Sequence, residues 1–194
     1  MDVLSAAIML FLIMDPLGNL PIFVSVLKSV PEERRTRVLV RELLLAYGIM
    51  VGFLFAGRSV LSFLHLRQES VSISGGIILF IIAIRMIFPR PGRSEEVPDG
   101  EPFIVPLAIP MVAGPSVLAA LLLLTSSGTG TYVHWLGALT GAWLVSAVIL
   151  LMSNTVYRVL GKRGLIAMER LMGMVLVMLS VQMFLDGVIA YMGR

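Results

Sequence analysis

Cysteine is absent from the 194 residues, which excludes disulfides, cysteine nucleophiles and thiolate metal sites. The two histidines, His65 and His134, fall near predicted span ends with no metal-ligand spacing to other residues, so neither a metal site nor a cofactor is expected. Charge is also scarce. Only 14% of residues are charged and 58% are hydrophobic, whereas a soluble domain carries about 25% charged residues. A soluble fold is therefore excluded. Short alternating apolar segments are missing too, so a transmembrane β-barrel is excluded and only helices can satisfy the backbone in lipid. The start, Met1-Asp2-Val3, has no basic stretch, and Asp15 interrupts the first apolar run. A cleaved signal peptide is not expected, and the first segment stays in the mature chain.

What the chain does have is long apolar runs, and these predict an all-α, polytopic membrane protein with a single transmembrane domain over residues 1–194. A crossing needs roughly 20 residues, so six crossings take about 120 and leave about 74 for loops and ends. The runs place spans at 3–28, 43–64, 71–88, 103–124, 132–153 and 171–191. The hydrophilic stretch 89–102 divides the chain into halves of about 1–88 and 103–194. Six crossings put all of the 15 basic residues on one side except Arg58, Arg67 and Arg194. The positive-inside rule assigns the crowded side to the cytoplasm and both termini to the outside. Loop charges of this kind account for the net charge of +3 without a nucleic-acid partner. Arg58 and Arg85 are placed to snorkel from span ends.

Three spans per half is an odd number, so a repeat between the halves must be inverted. The first span reads Asp15-Pro16-Leu17-Gly18-Asn19-Leu20-Pro21 and the fourth Ile109-Pro110-Met111-Val112-Ala113-Gly114-Pro115. Both are Pro-x4-Pro with a glycine inside, 94 residues apart. Ile84-Arg85-Met86-Ile87 likewise matches Val181-Gln182-Met183-Phe184, and Gly76 matches Gly173, at an offset of 97. The middle spans each carry Gly-x3-Gly, Gly48/Gly52 and Gly137/Gly141, a spacing that permits close helix packing.

Proline removes its own N–H and displaces the carbonyl four residues back. Two prolines five residues apart with a glycine between them predict unwinding, which survives at membrane depth only where protein or a watery cavity satisfies the backbone. The expected half-helices leave free N–H groups after Pro21, at Phe23 and Val24, and after Pro115, at Val117 and Leu118. Helix N-termini of this kind bind carboxylates. Inverted repeats bring the two breaks together near the midplane, as in secondary transporters. A zwitterion suits such a site, with its carboxylate on an N-terminus and its ammonium on freed carbonyls and Asp15.

Asp15 has two readings: a binding or titrating group, or a cap that accepts N–H bonds from Leu17 or Gly18 and shapes the break. Asn19 is either a site residue or a cap of the second half-helix. Gln182 and Asp186 lie one turn apart on a face that lines a cavity or pairs helices. Ser72, Ser74, Gly75 and Gly76 make a small, polar surface best suited to helix packing. The 13 methionines are core filler or lipid-facing.

These motifs, together with Ser74-Gly75-Gly76, Pro106-Leu107-Ala108-Ile109-Pro110 and Val181-Gln182-Met183-Phe184-Leu185-Asp186-Gly187, resemble the MarC family of inner-membrane proteins over nearly the whole chain. The resemblance implies six transmembrane helices related to the lysine-exporter superfamily and transport of small neutral amino acids such as glycine and alanine. It also implies site roles for Asp15, Gly18, Asn19, Gly114 and Pro115, and secondarily for Gln182 and Asp186.

The leading expectation is a secondary transporter for small neutral amino acids, working by alternating access with a proton or sodium as possible coupling ion. Its candidate substrate-binding residues are Asp15, Pro16, Gly18, Asn19, Pro21, Phe23, Pro110, Gly114, Pro115, Gln182 and Asp186. Alternatives are an exporter of another small metabolite or drug, and a non-transporting membrane subunit. An intramembrane enzyme is disfavoured: neither Asp15 nor Asp186 lies in Gly-x-Gly-Asp, there is no His-Glu-x-x-His, and no histidine sits near a span midplane.

Overall fold

A computed structural model describes residues 2–27, 30–63, 65–88, 107–126 and 131–193. The predicted linker 89–102 and the start of the fourth span lie outside the described residues. Among those described, every regular element is helical: α1 (Val3–Met14), α2 (Pro16–Leu27), α3 (Glu32–Phe63), α4 (Gln68–Ile87), a π-helical turn (Leu107–Val112), α5 (Pro115–Ser126), α6 (Tyr132–Leu151) and α7 (Ser153–Met192). Five stretches are long and apolar enough to cross a membrane: Val3–Leu27, Glu32–Gly57, Gln68–Ile87, Tyr132–Leu151 and Arg163–Met192. In the fourth predicted span, the described apolar helix is the shorter Pro115–Thr125.

The predicted loops between spans one and two and between spans five and six are largely helical. α3 starts at Glu32, eleven residues before the predicted 43, and α7 fills 153–170 with one interruption at Gly161 (φ 63°, ψ 177°). Hydropathy marks where lipid begins, whereas Glu and Arg are good helix formers and carry the helix on beyond it. Only a residue without Cβ takes the Gly161 backbone without strain.

α4 and α7 run antiparallel in close contact along most of α4. A Cβ at Gly76 would sit 2.9 Å from the Ser180 carbonyl oxygen and 2.9 Å from the Phe184 nitrogen. One at Gly173 would sit 3.1 Å from the Ala83 carbonyl oxygen and 2.9 Å from Ile87 Cγ1. The hydroxyl of buried Ser72 donates to the Met183 carbonyl at 2.7 Å. The small, polar start of the third span thus packs against a helix.

The Gly-x3-Gly expectation is corrected. Gly48, Gly52, Gly137 and Gly141 are exposed, and an added Cβ at any of them meets nothing within 4 Å. α3 and α6 meet instead through larger side chains. The Tyr47 and Thr140 hydroxyls are 2.8 Å apart, Trp143 Nε1 donates to the Leu43 carbonyl at 2.9 Å, and the Tyr47 and Trp143 rings lie 4.7 Å apart. Side chains of this bulk hold the helices too far apart for glycines to be needed between them.

Gly76→Ala is expected to destabilise the protein by about 1–3 kcal/mol, because the intruding methyl meets backbone that cannot rotate away. Gly48→Ala, in open space, is expected to be neutral or stabilising by up to about 1 kcal/mol. Thermal unfolding of the two variants in detergent checks the contrast.

Candidate functional site

The first break falls on one residue. Asp15 takes the left-handed conformation (φ 44°, ψ 58°) between α1 and α2. A residue before proline is sterically pushed out of the right-handed helix, and aspartate tolerates the left-handed region better than most side chains. Its N–H donates to the Phe11 carbonyl at 3.1 Å, closing α1. Its Oδ1 accepts the Gly18 N–H at 3.1 Å, opening α2. Pro16 occupies the first helical position, where its missing N–H costs nothing.

This corrects the predicted position of the second half-helix. α2 begins at Pro16, and Pro21 lies inside it, so the Phe23 and Val24 N–H groups are within the helix, with Phe23 fully buried. The N-terminal end of the helix dipole is at Leu17 and Gly18, where Asp15 takes the Gly18 N–H. Asp-Pro fixes the helix start, and the later proline displaces only the Leu17 carbonyl.

In the second half, Ile109 is the non-helical residue (φ −125°, ψ 131°). It stands before Pro110 as Asp15 stands before Pro16, and for the same steric reason. The chain then makes a wide turn, with the Ala113 N–H donating to the Ala108 carbonyl at 2.9 Å. Buried Gly114 leads into Pro115, the first residue of α5. The Leu118 N–H donates to the Gly114 carbonyl at 3.0 Å, so the first-turn donors without a helical acceptor are those of Ser116 and Val117, rather than Leu118 as expected.

Asn19 ties the breaks together. Its side-chain amide donates to the Met14 carbonyl at 3.0 Å, at the end of α1, and to the Met111 carbonyl at 3.3 Å, in the second break. It is therefore a bridge between two unwound segments and not a cap of α2, because α2 already carries Asp15 as its cap. Ser146 of α6 also reaches this region, its hydroxyl 3.7 Å from Met14 Sδ.

Asp15 is 3% exposed, and its Oδ2 has no hydrogen-bond partner among the described residues. Gly18 makes room for it: a Cβ there would collide with Asp15 Oδ2 and with Met86 Cε. The site thus contains a buried carboxylate oxygen without a partner, beside the N-terminus of α2 and the carbonyl end of α1.

Of the predicted site residues, Asp15, Pro16, Gly18 and Asn19 gather at the first break, and the backbone of 110–115 faces them through Met111. Gln182 and Asp186 do not join them. Gln182 Nε2 donates to Asp186 Oδ1 at 2.8 Å, and both are exposed, on the side of α7 away from Ser180, Met183 and Gly187, which face α4. Glycine packing against α4 fixes the rotation of α7 and turns these two outward. An apolar cavity of about 260 Å³ lined by Gly76, Phe80 and Phe184 lies in the same α4/α7 region, apart from the breaks. Glu169, which fell in a predicted loop, is half-buried within α7, a helical turn from Gly173.

Asn19→Ala strips two carbonyls of their donor and is expected to cost about 1–3 kcal/mol. Asn19→Asp, which replaces the donor with an acceptor facing two carbonyls, is expected to cost more. Chemical or thermal unfolding in detergent ranks the pair.

A family model described as the MarC family integral membrane protein matches residues 2–192. The chain is similar to the inner membrane protein YhgN of Escherichia coli (strain K12), with 57% identity and 98% of each chain covered. It is 52% identical to a membrane protein of Buchnera aphidicola subsp. Baizongia pistaciae, covering 96% of each. A membrane protein of Chlamydia pneumoniae is 34% identical over 95% of this chain and 93% of its own. No solved structure matches. With its apolar helices and a match over nearly its full length, the chain belongs to the MarC family of integral membrane proteins.

Proposed function

We propose that the protein is a secondary transporter for small neutral amino acids, not an enzyme, in which two inverted three-span repeats alternate access to a midplane site between the breaks. The observation that carries this reading is the Asn19 bridge: one side chain joins the Met14 and Met111 carbonyls, so backbone unwound in both halves faces a common polar space. Such backbone persists at membrane depth where it lines a cavity. Broken helices whose N-termini and carbonyl ends converge suit a zwitterion.

The repeat reading is supported by reciprocal packing. Gly76 meets residues 180 and 184, and Gly173 meets residues 83 and 87. Adding 97 to the first glycine and subtracting 97 from its two neighbours gives the second set. Other helix pairs exchange in the same way: α2 packs on α7 as α5 packs on α4, and α3 on α5 as α6 on α2. In this arrangement the chain crosses six times, the segment ending in α5 forms the fourth crossing, and both termini lie outside the cytoplasm with the basic loops inside.

In the proposed site, the substrate ammonium lies at Asp15 Oδ2 and the displaced carbonyls, and its carboxylate at the first turn of α5, near Gly114 and Pro115. Alanine at a hundredfold excess over its dissociation constant is expected to stabilise the purified protein by about 2.7 kcal/mol. Asp15→Asn is expected to change the pH profile of glycine or alanine flux in liposomes. The absence of both stabilisation and flux with every small neutral amino acid would overturn the transport reading, and an unchanged pH profile would leave Asp15 as a cap. A reporter at the C-terminus is expected to score as non-cytoplasmic.

A further inference from the structure

Gln182 and Asp186 are polar side chains that the proposed site does not use, and they stand where lipid would otherwise lie. Gly76 meets Ser180 and Phe184, so Gln182 is level with the middle of the 20-residue α4. A Cβ at Gly187 would sit 3.0 Å from Ser72 Cβ, which keeps Asp186, one turn nearer the end of α7, alongside α4 as well. Both side chains are exposed, on a face of α7 turned away from α4. Gln182 Nε2 donates to Asp186 Oδ1 at 2.8 Å, and neither side chain has another hydrogen-bond partner among the described residues. One amide hydrogen, the amide oxygen and one carboxylate oxygen are left over. Lipid tails offer neither donors nor acceptors, so these groups call for a further protein surface.

The neighbours of the pair show what kind of surface that is. Leu171, Met178, Gln182, Leu185 and Ile189 are all exposed, and the intervals of 7, 4, 3 and 4 between them are those of a heptad seam. In that register Gln182 takes an a position, where a single polar residue sets register and oligomeric state, and Asp186 takes the flanking e position. The exposed faces of α3 and α6 differ. Leu44 and Phe55 flank Gly48 and Gly52 on α3, and Leu144 and Val148 follow Gly141 on α6, so lipid covers both without leaving a polar group unpaired.

A second copy of the chain fits the seam. Copies inserted in the same orientation present parallel α7 helices, and a two-fold axis along the bilayer normal sets each seam residue against itself. A primary amide is its own complement, since each Gln182 has a hydrogen to give and an oxygen to receive. Asp186 lies to the side of the seam and is held by Gln182 of its own chain, so no basic residue is demanded of the partner. We infer that the protein self-associates as a parallel dimer through this face of α7, with Gln182 hydrogen-bonded across the two-fold axis. The inference stands apart from the transport reading and holds whether or not amino acids are carried.

The test uses the absence of cysteine, which lets single-cysteine variants of the full chain report contact without background. Met178→Cys and Leu185→Cys are expected to give disulfide-linked dimers on oxidation in native membranes, whereas Gly48→Cys and Gly141→Cys are not. Förster transfer between donor- and acceptor-labelled copies, diluted with phospholipid in vesicles, gives the affinity. Gln182→Leu is expected to weaken it ~10-fold, and Gln182→Asn to retain part of it. The melting midpoint in detergent is expected to change little in Gln182→Leu, because the side chain is exposed, so lost transfer reports association and not unfolding. Failure of both seam cysteines to cross-link overturns the dimer. Equal cross-linking at Gly48→Cys or Gly141→Cys overturns it in favour of another face. Undiminished association in Gln182→Leu, or a wild type that stays monomeric at high protein-to-lipid ratios, overturns it too. If Gln182→Leu fails to fold, the cysteine variants and Gln182→Asn still decide.

Discussion

A bilayer offers the backbone no hydrogen bonds, and much of this molecule is arranged around that constraint. A continuous helix meets it automatically, whereas a helix interrupted in hydrocarbon must find partners within the protein. Here the first interruption is confined to one residue. Asp15 closes one helix with its own N–H and opens the next with its carboxylate. The Met14 carbonyl is met by the single amide of Asn19, which also serves the opposing half. The second interruption is longer, running from Ile109 through Gly114, and its acceptors are met partly by a wide turn and partly by Asn19.

α4 and α7 lie in close contact beside this arrangement. Gly76 and Gly173 let each helix lie against the other's backbone, and both are placed where a methyl group would strike main-chain or branched side-chain atoms. Dispersion contacts at such short range do the work that hydrophobic exclusion does in water. The packing also fixes the rotation of α7 and turns Gln182 and Asp186 away from α4.

The apolar runs made the class and five of the spans legible in the sequence, and the prolines made the two breaks so. Gly76 and Gly173, singled out in the sequence by their matched spacing, both lie at close contacts between α4 and α7. Three features were not legible. The extent of α3 and α7 beyond the lipid was hidden because hydropathy reports solvent, not hydrogen bonding. The start of α2 was misplaced at Pro21, although Asp15-Pro16 is itself a cap followed by a first-turn proline and points to the earlier position. The inward face of α7 was misassigned because two polar residues on one face do not indicate which neighbour that face meets. Glycine positions do, because they mark the face of α7 that lies against α4.

α1 and α2 each contain 12 residues, about 18 Å of helix, so neither reaches across the hydrocarbon by itself. The joint between them therefore falls at the middle of the 25-residue span Val3–Leu27. One residue added or removed within α2 ahead of Asn19 would turn that side chain by about 100° around the helix and swing its amide away from the opposing carbonyls. The first span thus tolerates changes of side chain far better than changes of length, the reverse of what holds in the loops.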